Sequence, residues 1–87
     1  MTEGDVVGSI RKYLKDKGYF TYNLQVVTPS GMPDMVVIDT DGRHIYLEVK
    51  KKGGRIGSMQ KYIIKKLKKR QCEVHVVWSL NDVKEIL

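Results

Sequence analysis

At 87 residues the chain has room for one small domain, 1–87, whose core buries about 60–65% of the surface exposed when unfolded, so any active site is expected near the surface. Sixteen Lys and Arg against ten Asp and Glu give a net charge of +6, which favours a polyanionic partner, nucleic acid or an acidic membrane, without choosing between them. One cysteine, Cys72, excludes a disulfide framework and a Cys-based zinc site; with no apolar run near the ~20 residues of a membrane span and no signal peptide in "MTEGDVV", a soluble, cytoplasmic protein is expected.

In chain order, residues 2–17 read as a helix. Thr2 is its N-cap, Asp5 sits in the first turn, and Val7, Ile10 and Leu14 recur at helical spacing before Gly18 stops it. The aromatic and β-branched run 19–27 reads as a strand, followed by a loop at "TPSGMP". Residues 34–38 and 43–50 are two further strands joined through "DTDG", a hairpin signal. The glycine-rich "KKGGRIG" looks like a mobile segment. A helix from Ser58 to Arg70 follows, with Met59, Ile63 and Leu67 on one side. Residues 73–78 form a last strand and "LNDVKEIL" a closing helix. There is no internal repeat.

The order is αβββαβα. A strand, a helix and a following strand normally make a right-handed parallel crossover, so the strands at 43–50 and 73–78 should be parallel in one sheet. The preceding hairpin makes that sheet mixed. The expected architecture is therefore a small α/β fold, a mixed sheet flanked by helices.

Against that background three charges are out of place. Side chains alternate along a strand, so Ile45, Leu47 and Val49 share one face of "RHIYLEVK", and His44, Tyr46, Glu48 and Lys50 share the other. A two-residue Asp41-Gly42 loop would put Asp34 and Glu48 on opposite faces. A three-residue loop of Thr40, Asp41 and Gly42, with Gly42 left-handed, would pair 39 with 43 and hence 34 with 48. Both loops are compatible with the sequence. We adopt the second because it sets two carboxylates about 5 Å apart at Cβ, a metal-ligand geometry. Two more polar groups break the pattern. Glu3 lies four residues before Val7 and seven before Ile10, extending the apolar stripe toward the sheet. Gln60 lies three and four before Ile63 and Ile64, a core-facing position for an amide.

"GMPD" at 31–34, "EVK" at 48–50 and "SMQK" at 58–61 together resemble the PD-(D/E)XK nuclease superfamily, in particular its virus-type replication-repair nuclease (VRR-NUC) members. E-x-K alone is a common tripeptide; the whole constellation is more specific. The resemblance implies a restriction-endonuclease-like core and a metal-dependent DNA endonuclease of phage or bacterial origin. It also implies roles: Asp34 and Glu48 hold the metal with Val49 as a further ligand, Lys50 acts at the attacked phosphate, and Glu3 and Gln60 complete the catalytic set. Trp78 stands where many relatives carry an arginine.

The residues support this chemistry without the family. Mg²⁺, with Mn²⁺ able to substitute, takes oxygen ligands from one or two carboxylates, polarises a phosphoryl oxygen and lowers the pKa of water. A lysine on the same strand face can neutralise developing charge. Taken singly each residue has a plainer explanation: Asp34 as a turn residue, Glu48 and Lys50 as exposed neighbours, Glu3 as an acid favoured at a helix N-terminus, Gln60 at a boundary. Trp78 and Tyr46 read as core or boundary aromatics, and His44 and His75 as ordinary strand residues.

Ten of the sixteen basic residues lie between Lys50 and Arg70, and no acid falls between Glu48 and Glu73. Lysines without intervening acids repel one another until an anion arrives. Lys51, Lys52, Arg55, Lys61, Lys65, Lys68 and Lys69 are therefore candidate DNA contacts. Arg11, Lys12, Lys15 and Lys17 on the first helix could extend the surface. A different class remains open, a nucleic-acid-binding module without catalysis. Stand-alone members of the family are associated with homodimers that cut four-way junctions, so branched DNA and a homodimer are expected. A flap or single-strand nuclease of the same chemistry is the alternative.

Overall fold

A computed structural model describes residues 2–24 and 30–87. Seven elements follow in the expected order: α1 (Glu3–Asp16), β1 (Phe20–Asn23), β2 (Met35–Ile38), β3 (His44–Val49), α2 (Ser58–Lys69), β4 (Glu73–Val77) and α3 (Leu80–Ile86).

Helix α1 starts in a capping box. Thr2 Oγ1 accepts the Asp5 N–H, and the Asp5 carboxylate accepts the Thr2 N–H. Gly18 ends it in the left-handed region, at φ +91°. The buried stripe is Val6, Ile10 and Leu14. Val7, expected inside, is only half-buried at the edge of the core. Val6 takes its place because spacings of four keep 6, 10 and 14 on one helix face.

The strands form one sheet in the order β1-β2-β3-β4. β1 and β2 are antiparallel, as are β2 and β3, whereas β3 and β4 are parallel across the α2 crossover. The β1 expectation of 19–27 reduces to Phe20–Asn23; residues 25–29 lie outside the described residues. In the central hairpin Met35 faces Leu47 and Ile38 faces His44. The Asp39 N–H donates to Arg43 O, the Gly42 N–H donates to Asp39 O, and Gly42 has φ +83°. This is the three-residue loop, so continuing the register by one residue sets Asp34 opposite Glu48.

One face of the sheet carries the main core. Val6, Ile10 and Leu14 of α1 and Val83 of α3 meet Met35, Val37, Ile45, Leu47, Val49 and Val77. Burying each such side chain contributes roughly 1.5–3 kcal/mol. α2 lies over β4 on the other face, where Ile63 and Val74 are buried. Leu67 is half-buried, but Met59, expected inward, is 53% exposed. Met59 is instead taken up by a contact at the rim: a Cβ on Gly31 would come within 2.7 Å of Met59 Cγ and 2.9 Å of its carbonyl oxygen. Only a glycine lets the loop before Asp34 approach the start of α2 this closely.

Candidate active site

Three chain segments converge at one end of the sheet: the start of β2, the end of β3 and the first turn of α2. Asp34 enters β2 behind Pro33, and its Oδ2 accepts the Val49 N–H at 2.7 Å. The carboxylate thus bridges β2 and β3 just beyond their last paired residues. Its main-chain carbonyl accepts the Leu24 N–H at 2.8 Å, which ties the same residue to β1.

Glu48 is 1% exposed. A carboxylate this buried must be satisfied or it destabilises the fold. Half of it is satisfied: Oε2 accepts Gln60 Nε2 at 2.8 Å and lies 3.1 Å from Lys50 Nζ. Its other oxygen, Oε1, is buried without a hydrogen-bond partner among the described residues. Gln60 can reach Glu48 because its own Oε1 accepts the Gly57 N–H, which fixes the side chain across the start of α2. The Lys50 N–H donates to Val77 O, so its backbone extends the β3–β4 ladder while its ammonium turns to the carboxylate.

The electrostatics follow from this crowding. Burial pushes the Glu48 carboxyl up from 4.5 to about 7, the Asp34 charge adds to that, and Lys50 partly offsets it. Burial also raises Asp34, against the lowering effect of the Val49 N–H, and the charge of Glu3 raises it further. Glu3, half-buried in the first turn of α1, therefore lies within electrostatic reach of both carboxyls. Among the described residues no group of three or more His, Cys, Asp and Glu side chains gathers as a metal cluster. The donors available are the Asp34 and Glu48 carboxylates. An orphaned, desolvated carboxylate oxygen beside a second carboxylate fits a hard divalent cation, which binds through one or two carboxylates and keeps several waters. All five sequence-derived catalytic candidates thus meet at or near one place. Val49 contributes its N–H to Asp34.

The basic residues divide into two groups. Lys61, Lys65, Lys68 and Lys69 rim a groove of about 520 Å³ floored by Ile56, Ile64 and Val76. Because α2 begins at the site and rises about 1.5 Å per residue, this rim runs roughly 14 Å outward from Gln60. Lys51, Lys52 and Arg55 are exposed on the segment between β3 and α2. That segment contains a turn closed by the Gly54 N–H to Lys51 O. Its Gly54 carbonyl accepts Trp78 Nε1–H at 3.2 Å. This tether joins residues distant in sequence, and no local signal announces it. Arg43 and Glu73 form an ion pair at the opposite end of the sheet, His75 Nε2 is hydrogen-bonded to the same Glu73 carboxylate, and His44 Nδ1 is hydrogen-bonded to Gly42 O. Neither histidine is hydrogen-bonded to Asp34 or Glu48. No described helix is long and apolar enough to cross a membrane.

Comparison with known proteins identifies the fold and the family. No curated protein matches the chain. A solved structure described as a VRR_NUC domain shares 26% sequence identity with a TM-score of 0.87, covering 99% of this chain and 95% of that one. The family model for the VRR-NUC domain matches residues 12–80, which include every site residue above except Glu3. The chain belongs to the VRR-NUC family, whose members are PD-(D/E)XK-type nucleases.

Proposed function

We propose that the protein is a Mg²⁺-dependent DNA endonuclease, Mn²⁺ being able to substitute, that acts as a homodimer on four-way junctions. The observation that carries the catalytic part is the buried Glu48 Oε1 beside Asp34, which has no hydrogen-bond partner among the described residues. When bound, the metal polarises a phosphoryl oxygen and lowers the pKa of water. Asp34 and Glu48 would hold it, with Val49 as a further ligand. Gln60 orients Glu48 by occupying its other oxygen. Lys50 presents its ammonium to the charge that develops on the phosphate. Glu3 adds negative charge that favours cation binding.

The lysine-rimmed groove supports DNA as the substrate, since Lys61, Lys65, Lys68 and Lys69 lead away from the carboxylates along one helix. Replacing three of these with alanine is expected to weaken binding to all DNA structures alike. The slope of log affinity against log salt should become shallower by about 0.9 for each phosphate that is no longer neutralised. Fluorescence anisotropy across a salt series checks this, and an unchanged slope would place the substrate elsewhere. Lys51, Lys52 and Arg55 on the tethered turn complete the proposed interface.

The dimer and the junction rest on symmetry. A two-fold dimer presents two identical sites at fixed spacing, and a four-way junction has matching approximate two-fold symmetry and needs two symmetric cuts. Light scattering at micromolar concentration, run beside cleavage of junction, flap and linear duplex in Mg²⁺, tests the proposal. The expected result is a dimer that prefers the junction. A monomer that cuts all three equally well would overturn it.

A further inference from the structure

Strand β1 is built the wrong way round for a strand whose only task is packing. Its alternate residues face opposite sides of the sheet. Thr21 and Asn23 lie opposite Val37 and Met35, which belong to the core under α1. Asn23 Oδ1 is buried on that side without a hydrogen-bond partner among the described residues. The two aromatics, Phe20 and Tyr22, face away from the core and are 65% and 44% exposed. The register with β2 fixes this arrangement, because Phe20 pairs with Ile38 and Tyr22 with Val36. A one-residue slip would bury the rings and expose the polar pair, so the arrangement forgoes apolar burial that was within reach. Departures of this kind from the expected pattern concentrate at functional sites.

The rings share a sheet face with the carboxylates. Asp34 lies two residues before Val36 in β2, so Tyr22 sits about 7 Å along the strands from the Asp34 row and Phe20 about 14 Å. Among the described residues α2 packs on β4 and no helix packs on this face of β1. The ring centroids are 6.3 Å apart at 50°, so the rings are not stacked flat on each other, and both rings are exposed.

We propose that Phe20 and Tyr22 form a stacking platform for unpaired nucleobases of the DNA strand that leads to the Asp34–Glu48 site. The proposal deepens the nuclease reading and rests on it for the position of the scissile phosphate. Stacking on aromatic rings tolerates any base, because every base has a π-face, and so adds affinity for single-stranded segments without reading sequence. A second copy of this chain is a poorer occupant. Two rings offer at most about 150–250 Å² each, against about 800 Å² per partner in a stable interface. The chain's net charge of +6 suits a polyanionic occupant. An opened junction or a flap presents such unpaired nucleotides beside the cut.

The test measures binding without cleavage. Anisotropy titrations in EDTA compare wild type with F20A/Y22A on oligothymidylate and on a duplex of the same length. The double variant is expected to lose about 10-fold or more on the single strand and less than about 2-fold on the duplex. Its salt slope should stay unchanged, because stacking releases no counterions. F20W/Y22W should restore single-strand affinity. Equal losses on both DNAs, or no loss, would overturn the platform, as would a change in oligomeric state by light scattering, which would reassign the rings to a subunit interface. Thermal melts confirm that the variants fold. Because no metal or turnover is involved, failure of this result is distinguishable from failure of Mg²⁺-dependent cleavage.

Discussion

Glu48→Gln and Asp34→Asn are each expected to lower Mg²⁺-dependent cleavage by about 10³-fold or more while leaving folding and DNA binding close to native. Both substitutions are nearly isosteric. In Glu48→Gln an acceptor oxygen remains for Gln60 and Lys50, which hold Oε2 at 2.8 and 3.1 Å. What changes is the other oxygen, Oε1, which becomes an amide NH2, a donor that cannot ligate a cation. In Asp34→Asn the acceptor for the Val49 N–H can likewise be kept. Near-native turnover in either variant would remove the metal site from this place.

The same substitution carries a signature in the metal-free protein. Burial and the Asp34 charge raise the Glu48 carboxyl to about 7 from 4.5. The folded state therefore holds a proton that the unfolded state releases between those values. A raised folded-state pKa contributes stability that is complete below the unfolded value and is lost as pH rises through the folded one. Metal-free wild type should thus lose a few degrees of melting temperature between about pH 5 and about pH 8, and Mg²⁺ should restore them at the higher pH. Asp34, also raised, acts in the same sense. Glu73, lowered by Arg43, acts in the opposite sense at lower pH but is common to both proteins and cancels in the comparison. Glu48→Gln should flatten the profile and reduce the Mg²⁺ gain. Melting curves at the two pH values, with and without Mg²⁺, check it; a profile as steep as wild type would assign the pH dependence to another group.

Lys50→Ala is expected to lower kcat by about 10²–10³-fold with little change in DNA affinity, the size of effect seen when one preorganised charge is taken from a developing anion. The ammonium is nearly buried, and it lies 3.1 Å from Glu48 Oε2. Two roles are open to it, stabilising charge on the phosphate and keeping Glu48 ionised, since Lys50 lowers the Glu48 carboxyl. The pH profile separates them. If Lys50 only tunes Glu48, the variant's rate recovers toward wild type as pH rises and Glu48 ionises without help. If Lys50 acts at the phosphate, the loss persists across the profile, and that is the expected outcome. Full recovery at alkaline pH would sink the phosphate role.

Local signals are enough for much of this molecule. Capping at Thr2 and Asp5, the stop at Gly18 and the left-handed Gly42 loop are all decided within a few residues, because each is a matter of which backbone dihedrals and hydrogen bonds a short segment can satisfy. The Gly42 loop alone carries the register that sets Asp34 opposite Glu48, since strand alternation propagates one turn's geometry along the whole hairpin. Helical periodicity likewise places Gln60 on the inward side of α2 without reference to the carboxylate it meets there.

Contacts between distant segments are another matter. Whether Val6 or Val7 faces the core, and whether Met59 is buried or held against Gly31, depends on how α1 and α2 settle against the sheet, where neighbouring helix positions are nearly equivalent in sequence. The bare oxygen of Glu48, the Trp78 tether to Gly54 and the outward turn of Phe20 and Tyr22 join or expose groups that no short window contains. The order of elements, the hairpin register and the five polar residues that break the apolar pattern were thus legible from the residues alone, because backbone propensity, turn chemistry and alternation act locally. Which oxygen of Glu48 stays bare, and which face of β1 meets solvent, emerged only on packing, because those outcomes depend on side chains brought together from the ends of several strands and helices.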